Sequence, residues 1–167
     1  MFDRFFPDEY LDSAYQINYE GLYLQGYRGV LFDIDNTLVP HGAPADSRAI
    51  ALFDRLRNIG FRSCFLSNNS RERVEPFSKA VQVPFIEKAN KPSIKGYQKA
   101  MKLMGTDTDT TIFIGDQLFT DIWGAKKTGI RNILVKPIHP KEEIQIVLKR
   151  KLERIVLYFY GKERCNS

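Results

Sequence analysis

No segment of this sequence approaches the roughly 20 consecutive apolar residues that a helix needs to span a bilayer. The first ten residues carry four charged side chains between Asp3 and Glu9, so they also lack the apolar stretch of a secretory signal peptide. The 167 residues include only two cysteines, Cys64 and Cys165, and these form no paired motif. The expected location is therefore a reducing cytoplasm, without a leader or a transmembrane anchor.

Internal repeats and long biased tracts are absent as well, and the 43% of hydrophobic and 27% of charged residues are typical of a folded protein. We expect one domain over residues 1–167, with a lead-in at 1–28 and a terminal helix at 141–160. The net charge of +5 would suit phosphate esters, anionic lipid or nucleic acid equally. No recognised nucleic-acid-binding module is present, so charge alone selects no partner.

Four short apolar runs are typical of strands that are buried on both faces of a parallel sheet. They lie at 29–32, 62–66, 111–114 and 132–135, with a weaker run at 83–86. Segments with helical spacing separate the runs, at 47–58, 71–80, 93–104 and 121–128, and the lead-in favours a further helix at 8–17. The alternation predicts an α/β fold with a doubly wound parallel sheet of about five strands.

Polar residues follow several of these runs directly, at the points where the strands are expected to end. They are Asp33 and Asp35 after the first run, Ser67 and Asn68 after the second, and Asp116 after the run at 111–114. A cation, Lys91, precedes one of the helical segments. Because ligands of an open parallel sheet bind beyond the carboxyl ends of its strands, these side chains should surround one crevice.

This set contains a candidate for each task in phosphoryl transfer, which needs a nucleophile, charge neutralisation and a proton for the leaving oxygen. Asp33 and Asp35 can divide attack and proton transfer between them. Together with Asp116 they offer the hard oxygen ligands that suit Mg²⁺. Lys91 and Ser67 can bind the oxygens of the transferring group.

In type and order these residues resemble the four motifs of the haloacid dehalogenase superfamily. The matching stretches are DIDNT at 33–37, Ser67, Lys91 and GDQLFTD at 115–121, and the resemblance covers residues 28–137. It implies a Rossmann-like fold and an Mg²⁺-dependent phosphatase that forms a transient aspartyl phosphate.

The resemblance also implies a role for each matched residue. Asp33 would be the nucleophile, and Asp35 would act first as the general acid and then as the base. The phosphate-binding residues would be Ser67, Asn68 and Lys91. The Mg²⁺ ligands would be Asp33, the backbone carbonyl of Asp35, and Asp116. Supporting roles would fall to Thr37 and Asp121.

Many members of the superfamily carry a cap domain between these motifs, but this sequence has no room for one. Only 30 positions separate Thr37 from Ser67 and 24 separate Ser67 from Lys91, and predicted helices and strands already fill both gaps. We therefore expect an open site, which favours a phosphate group on a large substrate or a cover from a second subunit. PDEY at 7–10 and SNN at 67–69 make the chain most similar to the YqeG-like branch of capless phosphatases (subfamily III), which is similar to phosphatidylglycerophosphate phosphatases.

The terminal segment leaves the substrate class open. Apolar residues recur there at helical spacing, at Ile144, Leu148, Leu152, Ile155 and Phe159, beside basic residues. Such a helix could lie on an anionic membrane, or it could pack against the domain or a second subunit. A lipid phosphate is therefore one candidate substrate, and a soluble small molecule or a protein phosphate is the alternative.

Two other classes of protein share parts of this pattern. A response-regulator receiver uses the same residue types, but its phosphorylated aspartate follows the third strand, where this sequence has Glu87 and Lys88. A catalytically weak scaffold for nucleic acid or protein would have no need for the repulsive cluster of carboxylates. The roles of His41, Asn69 and Gln117 stay open.

Overall fold

The computed structural model describes residues 2–139 and 144–165, and the side chains of 2–139 and 148–164. Its six strands are β1 (Glu9–Leu11), β2 (Gly29–Phe32), β3 (Arg62–Leu66), β4 (Phe85–Ile86), β5 (Thr111–Gly115) and β6 (Arg131–Val135). They form one parallel sheet in the order β1-β6-β5-β2-β3-β4. The predicted doubly wound α/β fold is confirmed.

The helices between these strands also lie close to the predicted segments. They are α2 (Ser47–Ile59), α3 (Arg71–Val81), α4 (Ile94–Met104) and α5 (Trp123–Thr128). Three of them end at a glycine in the left-handed region, Gly60, Gly105 and Gly129, where a side chain would be strained. The segment predicted as a helix from residue 121 begins instead as a π-helical turn, Leu118–Ile122.

The helix predicted at 8–17 is wrong. This stretch forms β1 and a short 3₁₀ helix, Ala14–Gln16, and the helix of the lead-in comes later as α1 (Tyr19–Leu24). The Asp8 side chain accepts hydrogen bonds from the backbone N–H and the side-chain amide of Asn132, each at 3.0 Å. This distant partner aligns β1 with β6, and the pairing overrides the local helical pattern and adds a sixth strand.

The core has two apolar layers, one on each face of the sheet. Val30 and Phe32 of β2 lie in the layer under α1, α2 and α3, whereas Leu31 lies in the layer under α4 and α5. Rings of the first layer pack edge to face, with centroids 5.2 Å apart for Phe32 and Phe53 and for Phe53 and Phe65. Buried on both faces, β2 is a rigid base for the residues that follow it.

The long terminal helix, α6 (Ile144–Cys165), packs beside β6 and confirms the predicted helix at 141–160 as far as it is described, since residues 141–143 lie outside the described ranges. Its Val156 joins a cluster with Leu118, Ile122 and Leu134. Aromatic side chains of the lead-in cover the same helix, with Phe2 stacked on Phe159 at 5.5 Å and Phe6 against Tyr160 at 5.3 Å. Within the described ranges no helix has the combined length and apolarity to cross a membrane.

Candidate active site

The site begins where β2 ends, beside both of its neighbours in the sheet. The backbone N–H of Asp33 donates to the carbonyl of Ile114 at 3.0 Å, so Asp33 continues the pairing of β2 with β5. A tight turn follows, in which Asn36 has a φ of +61° and donates its N–H to the carbonyl of Val39 at 2.8 Å. Asparagine tolerates this left-handed conformation better than most residues, which suits the sequence DIDNT to the turn.

Lys91 lies between two aspartates at the centre of the site. Its Nζ is 2.8 Å from Asp33 Oδ1 and 2.6 Å from Asp121 Oδ1, and the lysine is 7% exposed. Burial alone would lower the pKa of Lys91, but Asp121 and Asp33 outweigh it and raise the pKa above its usual value. The structure therefore holds Lys91 as a buried cation against the expected nucleophile.

The loop that carries Lys91 is fastened to the residues after β3. The backbone of Ala89 donates to the carbonyl of Ser67 at 2.9 Å. The side-chain oxygen of Asn68 accepts from the N–H of Lys91 at 2.7 Å, and its amide nitrogen donates to the Lys91 carbonyl at 3.3 Å. These bonds place Asn68 as a support for the backbone of Lys91, while phosphate binding by Asn68 and Ser67 stays a prediction.

Asp121 braces the loop that follows β5. Its Oδ2 accepts from the backbone N–H groups of Asp116 at 3.2 Å and Gln117 at 3.1 Å. A Cβ at Gly115 would come within 2.7 Å of Asp121 Cγ, so a glycine is needed before Asp116. With Oδ1 bound by Lys91 and Oδ2 by two amides, Asp121 is better placed to support the site than to bind a metal.

Three carboxylates meet at this point. Asp33, Asp116 and Asp121 each bring a carboxylate oxygen to within 4.8 Å of the others, and all three residues are buried. Burial and the nearby Asp33 raise the pKa of Asp116 well above its usual value. Burial likewise raises the pKa of Asp33 to about 6, although Lys91 opposes the shift.

An arginine outside the expected motifs binds Asp116. Arg150 of α6 donates to the Asp116 carbonyl at 2.6 Å and to its Oδ2, and pairs with Glu153 at 3.1 Å. When ionised, the four carboxylates Asp33, Asp116, Asp121 and Glu153 exceed the cations Lys91 and Arg150 by two negative charges. A divalent cation with oxygen ligands therefore fits this donor set in both charge and chemistry.

Asp35 lies apart from this cluster, among donors of its own. Its Oδ1 accepts from the backbone N–H of Gly42 at 2.8 Å and from Arg73 at 2.7 Å, and its Oδ2 accepts from the Asn69 amide at 2.7 Å. The side chain of Asp35 is 11% exposed. The carboxyl group of Asp35 is thus separate from the cluster of Asp33, Asp116 and Asp121. Metal binding by the backbone carbonyl of Asp35 stays a prediction.

Sequence reasoning missed two residues of the site, Arg73 and Arg150. Arg73 lies on α3, which follows the motif residue Ser67, and Arg150 lies on α6, outside all of the motifs. Each arginine reaches its aspartate only through the tertiary fold. The spacing of Arg150 and Glu153 by three positions was the available signal, but such pairs are common on exposed helices. Of the residues left open, Asn69 proves to bind Asp35, and Gln117 accepts a bond from Thr120 at 3.2 Å.

Comparison with known proteins relates this chain to a family. A model of HAD-hydrolase-like proteins matches residues 88–143, which contain Lys91 and Asp116. The probable phosphatase YqeG of Bacillus subtilis (strain 168) is 35% identical over 159 residues, 94% of this chain and 92% of that protein. A chloroplastic phosphatidylglycerophosphate phosphatase 1 of Chlamydomonas reinhardtii is 26% identical over 82% of this chain and 55% of its own length.

Solved structures share the fold at lower identity. A Vibrio cholerae protein provisionally assigned as a 3-deoxy-D-manno-octulosonate 8-phosphate phosphatase superposes with a TM-score of 0.57, covering 72% of each chain at 16% identity. This likeness supports the fold alone. The identity to the Bacillus protein extends over nearly the whole of both chains, and the chain therefore belongs to the haloacid dehalogenase-type phosphatases.

Proposed function

We propose that this phosphatase uses Asp33 as a nucleophile and Mg²⁺ as its cofactor. The observation that carries the proposal is the buried Asp33 at the end of β2, with the Lys91 ammonium 2.8 Å from Oδ1 and the Asp116 carboxylate beside it. Asp33, Asp116 and the backbone carbonyl of Asp35 would hold the cation. When bound, Mg²⁺ would neutralise charge on the phosphoryl oxygens and so permit a carboxylate to approach them.

The reaction would proceed in two steps. A carboxylate oxygen of Asp33 attacks phosphorus, the bond to the leaving oxygen breaks, and Asp35 donates a proton to that oxygen. A water then attacks phosphorus and gives a proton to Asp35, the bond to Asp33 breaks, and inorganic phosphate leaves. Throughout, Lys91 and Ser67 would bind the phosphoryl oxygens, while Thr37 and Asp121 would hold the loops in place.

The test is hydrolysis of an aryl phosphate by the purified protein, with and without Mg²⁺. Asp33→Asn should lower turnover by at least about 10³-fold, because an amide cannot form the covalent intermediate. The matched control is Asp109→Asn, since Asp109 is an exposed aspartate in a loop far along the chain from Asp33. Near-normal turnover by a folded Asp33→Asn protein would remove Asp33 from this role, and Mg²⁺-dependent release of phosphate by the parent would exclude a weak scaffold or a receiver.

The substrate we favour is a phosphate monoester on an anionic lipid, and phosphatidylglycerophosphate is the first candidate. Residues 37–91 contain no inserted cap, so nothing in that described stretch encloses a small substrate. The Chlamydomonas relative is named for phosphatidylglycerophosphate. A soluble small-molecule or protein phosphate is the alternative.

The outward face of α6 supports contact with a membrane. Leu148, Leu152 and Ile155 are 62%, 51% and 50% exposed, and Lys149, Lys151 and Arg154 lie on the same part of the helix. These three side chains therefore do not pack into the described part of this domain, and a bilayer or a second subunit is the cover that we consider. The basic residues favour an anionic bilayer.

The membrane proposal is tested with the double variant Leu148→Glu and Ile155→Glu. Because both side chains are exposed, the fold should survive, and binding to phosphatidylglycerol vesicles and turnover of the lipid substrate should fall together. Hydrolysis of a soluble aryl phosphate should stay unchanged. Leu103→Glu is the matched control, since Leu103 is 56% exposed on α4. Undiminished vesicle sedimentation by the double variant would contradict the membrane contact, and preference for a soluble ester would contradict the lipid substrate.

A further inference from the structure

Helix α6 brings one side chain, Arg150, to the expected metal ligand Asp116. The guanidinium donates from one nitrogen to the Asp116 carbonyl at 2.6 Å and from the other to Asp116 Oδ2. The side chain of Asp116 is fully buried and that of Arg150 is 12% exposed. The arginine therefore binds both the main chain and the carboxylate of a single residue.

Glu153, one turn further along α6, also binds this arginine. Its Oε2 lies 3.1 Å from Arg150, and its Oε1 accepts the backbone N–H of Leu118 at 2.9 Å. Glu153 is only 5% exposed. The pair thus ties α6 to both Asp116 and Leu118, on the loop that carries the expected metal ligand.

The carboxylate of Asp116 keeps the capacity to bind a cation in this arrangement. Arg150 occupies Oδ2, while Oδ1 accepts a hydrogen bond from Thr37 Oγ1 at 3.2 Å. A carboxylate oxygen can accept more than one partner, so Oδ1 can bind a metal while Oδ2 stays on Arg150. The supporting partners of metal ligands usually act in this way, by setting the direction of the ligand.

An arginine on a metal ligand could also oppose the metal, by competing for the carboxylate. Two features favour orientation over competition. The bond to the Asp116 carbonyl holds Arg150 in place whatever the carboxylate does, and Glu153 offsets the positive charge that would repel a cation.

We infer that Arg150 is a positioning residue for the metal carboxylate Asp116, and that α6 therefore forms part of the active site. The inference rests on the proposed use of Mg²⁺. It assigns a task in the reaction to a helix that lies outside all four motifs.

The experiment measures Mg²⁺ binding to the purified protein by calorimetry, without substrate, beside Mg²⁺ activation of aryl phosphate hydrolysis. Arg150→Gln should weaken Mg²⁺ binding by about 10- to 100-fold, which is typical for loss of a ligand's supporting partner. The KM for substrate at saturating Mg²⁺ should change little. Lys162→Gln is the matched control, because it removes one exposed basic side chain from the same helix and should leave Mg²⁺ binding unchanged.

Two further variants keep the test decisive if Arg150→Gln does not fold. Arg150→Lys keeps the charge but cannot span the carbonyl and Oδ2 together, so it should also bind Mg²⁺ more weakly than the parent. Glu153→Gln should retain an acceptor for Leu118 and weaken Mg²⁺ binding less than Arg150→Lys does.

Equal or tighter Mg²⁺ binding by folded Arg150 variants would overturn the inference, and tighter binding would identify Arg150 as a competitor. In that case the parent protein still binds Mg²⁺ and releases phosphate, so the proposed function would stand. A parent that binds no Mg²⁺ would overturn the proposed cofactor and this inference together.

Discussion

Asp35 and Asp116 are each bound by an arginine, yet their surroundings differ. Asp35 sits at the edge of the site, with donors from a loop amide, Asn69 and Arg73 of α3. Asp116 is fully buried at the end of β5, next to two other carboxylates and Arg150 of α6. In the proposed mechanism Asp35 and its donors form the proton side of the site, and Asp116 with its neighbouring carboxylates and Arg150 forms the metal side.

The largest expected effect tests the proton side. Asp35→Asn should lower turnover by about 10²- to 10⁴-fold, the usual contribution of a general acid or base. Esters with poor leaving groups should suffer most, because their leaving oxygen needs the proton. The measurement is turnover of an aryl and an alkyl phosphate, with Mg²⁺ affinity measured in parallel. Equal losses on both esters would argue against proton donation by Asp35.

The next effect tests the metal side. Loss of a residue that supports a metal ligand typically weakens metal binding about 10- to 100-fold. Asp116→Ala should raise the Mg²⁺ concentration needed for activity by more than that, because it removes a proposed direct ligand. High Mg²⁺ should restore part of the turnover, which it should not do for Asp35→Asn. A Mg²⁺ titration of both variants checks this contrast, and an unaltered titration of Asp116→Ala would remove Asp116 from the ligand set.

A smaller effect is expected from the arginine on the proton side. Arg73→Gln keeps one donor for Asp35 but removes the charge and the second N–H, so turnover should fall by less than the about 10²-fold that loss of the acid or base itself costs at the least. Mg²⁺ affinity should not change, in contrast to Arg150→Gln. Calorimetry measures the Mg²⁺ affinity of Arg73→Gln, and an assay measures its turnover. A loss of both Mg²⁺ affinity and turnover would show that the proton side and the metal side act as one unit.

The pH dependence should be the mildest signature. Burial raises the pKa of Asp33 to about 6, above the usual 3.8. Between these values the folded protein holds the proton, so Asp33 stabilises the fold at low pH and this contribution is lost as the pH rises through 6. Mg²⁺ must displace the same proton, so the rise in Tm caused by Mg²⁺ should be larger at pH 7.5 than at pH 5. An identical rise at both pH values would contradict this coupling, and Asp33→Asn should reduce the difference.

The parts of the site that sequence could predict are those with a local signal. Asp33 and Asp116 come after the predicted runs 29–32 and 111–114, whose apolar character reflects strands that are buried on both faces. Lys91 was identified from its order among the motifs. For each of these residues, the neighbouring sequence and the order of the motifs along the chain are enough for the prediction.

The remaining parts depend on partners that lie far away in the chain. The strand β1 forms because Asp8 meets Asn132, 124 positions later, and local spacing contains no trace of that pairing. Arg150 reaches Asp116 across 34 positions of the sequence. The sequence pattern of α6 indicates only the apolar face of this helix, and Arg150 does not belong to that face. Long-range packing therefore decides both the pairing of β1 and the contact of Arg150 with Asp116.

The contact between the lead-in and α6 has a consequence for the order in which the parts of the chain fold during synthesis. During synthesis Phe2 and Phe6 emerge long before Phe159 and Tyr160, their ring partners on α6. Strand β1 must likewise wait for β6 before it can pair. Since α6 also supplies Arg150, a nascent chain that stops short of this helix can form the central strands but not the complete surroundings of Asp116.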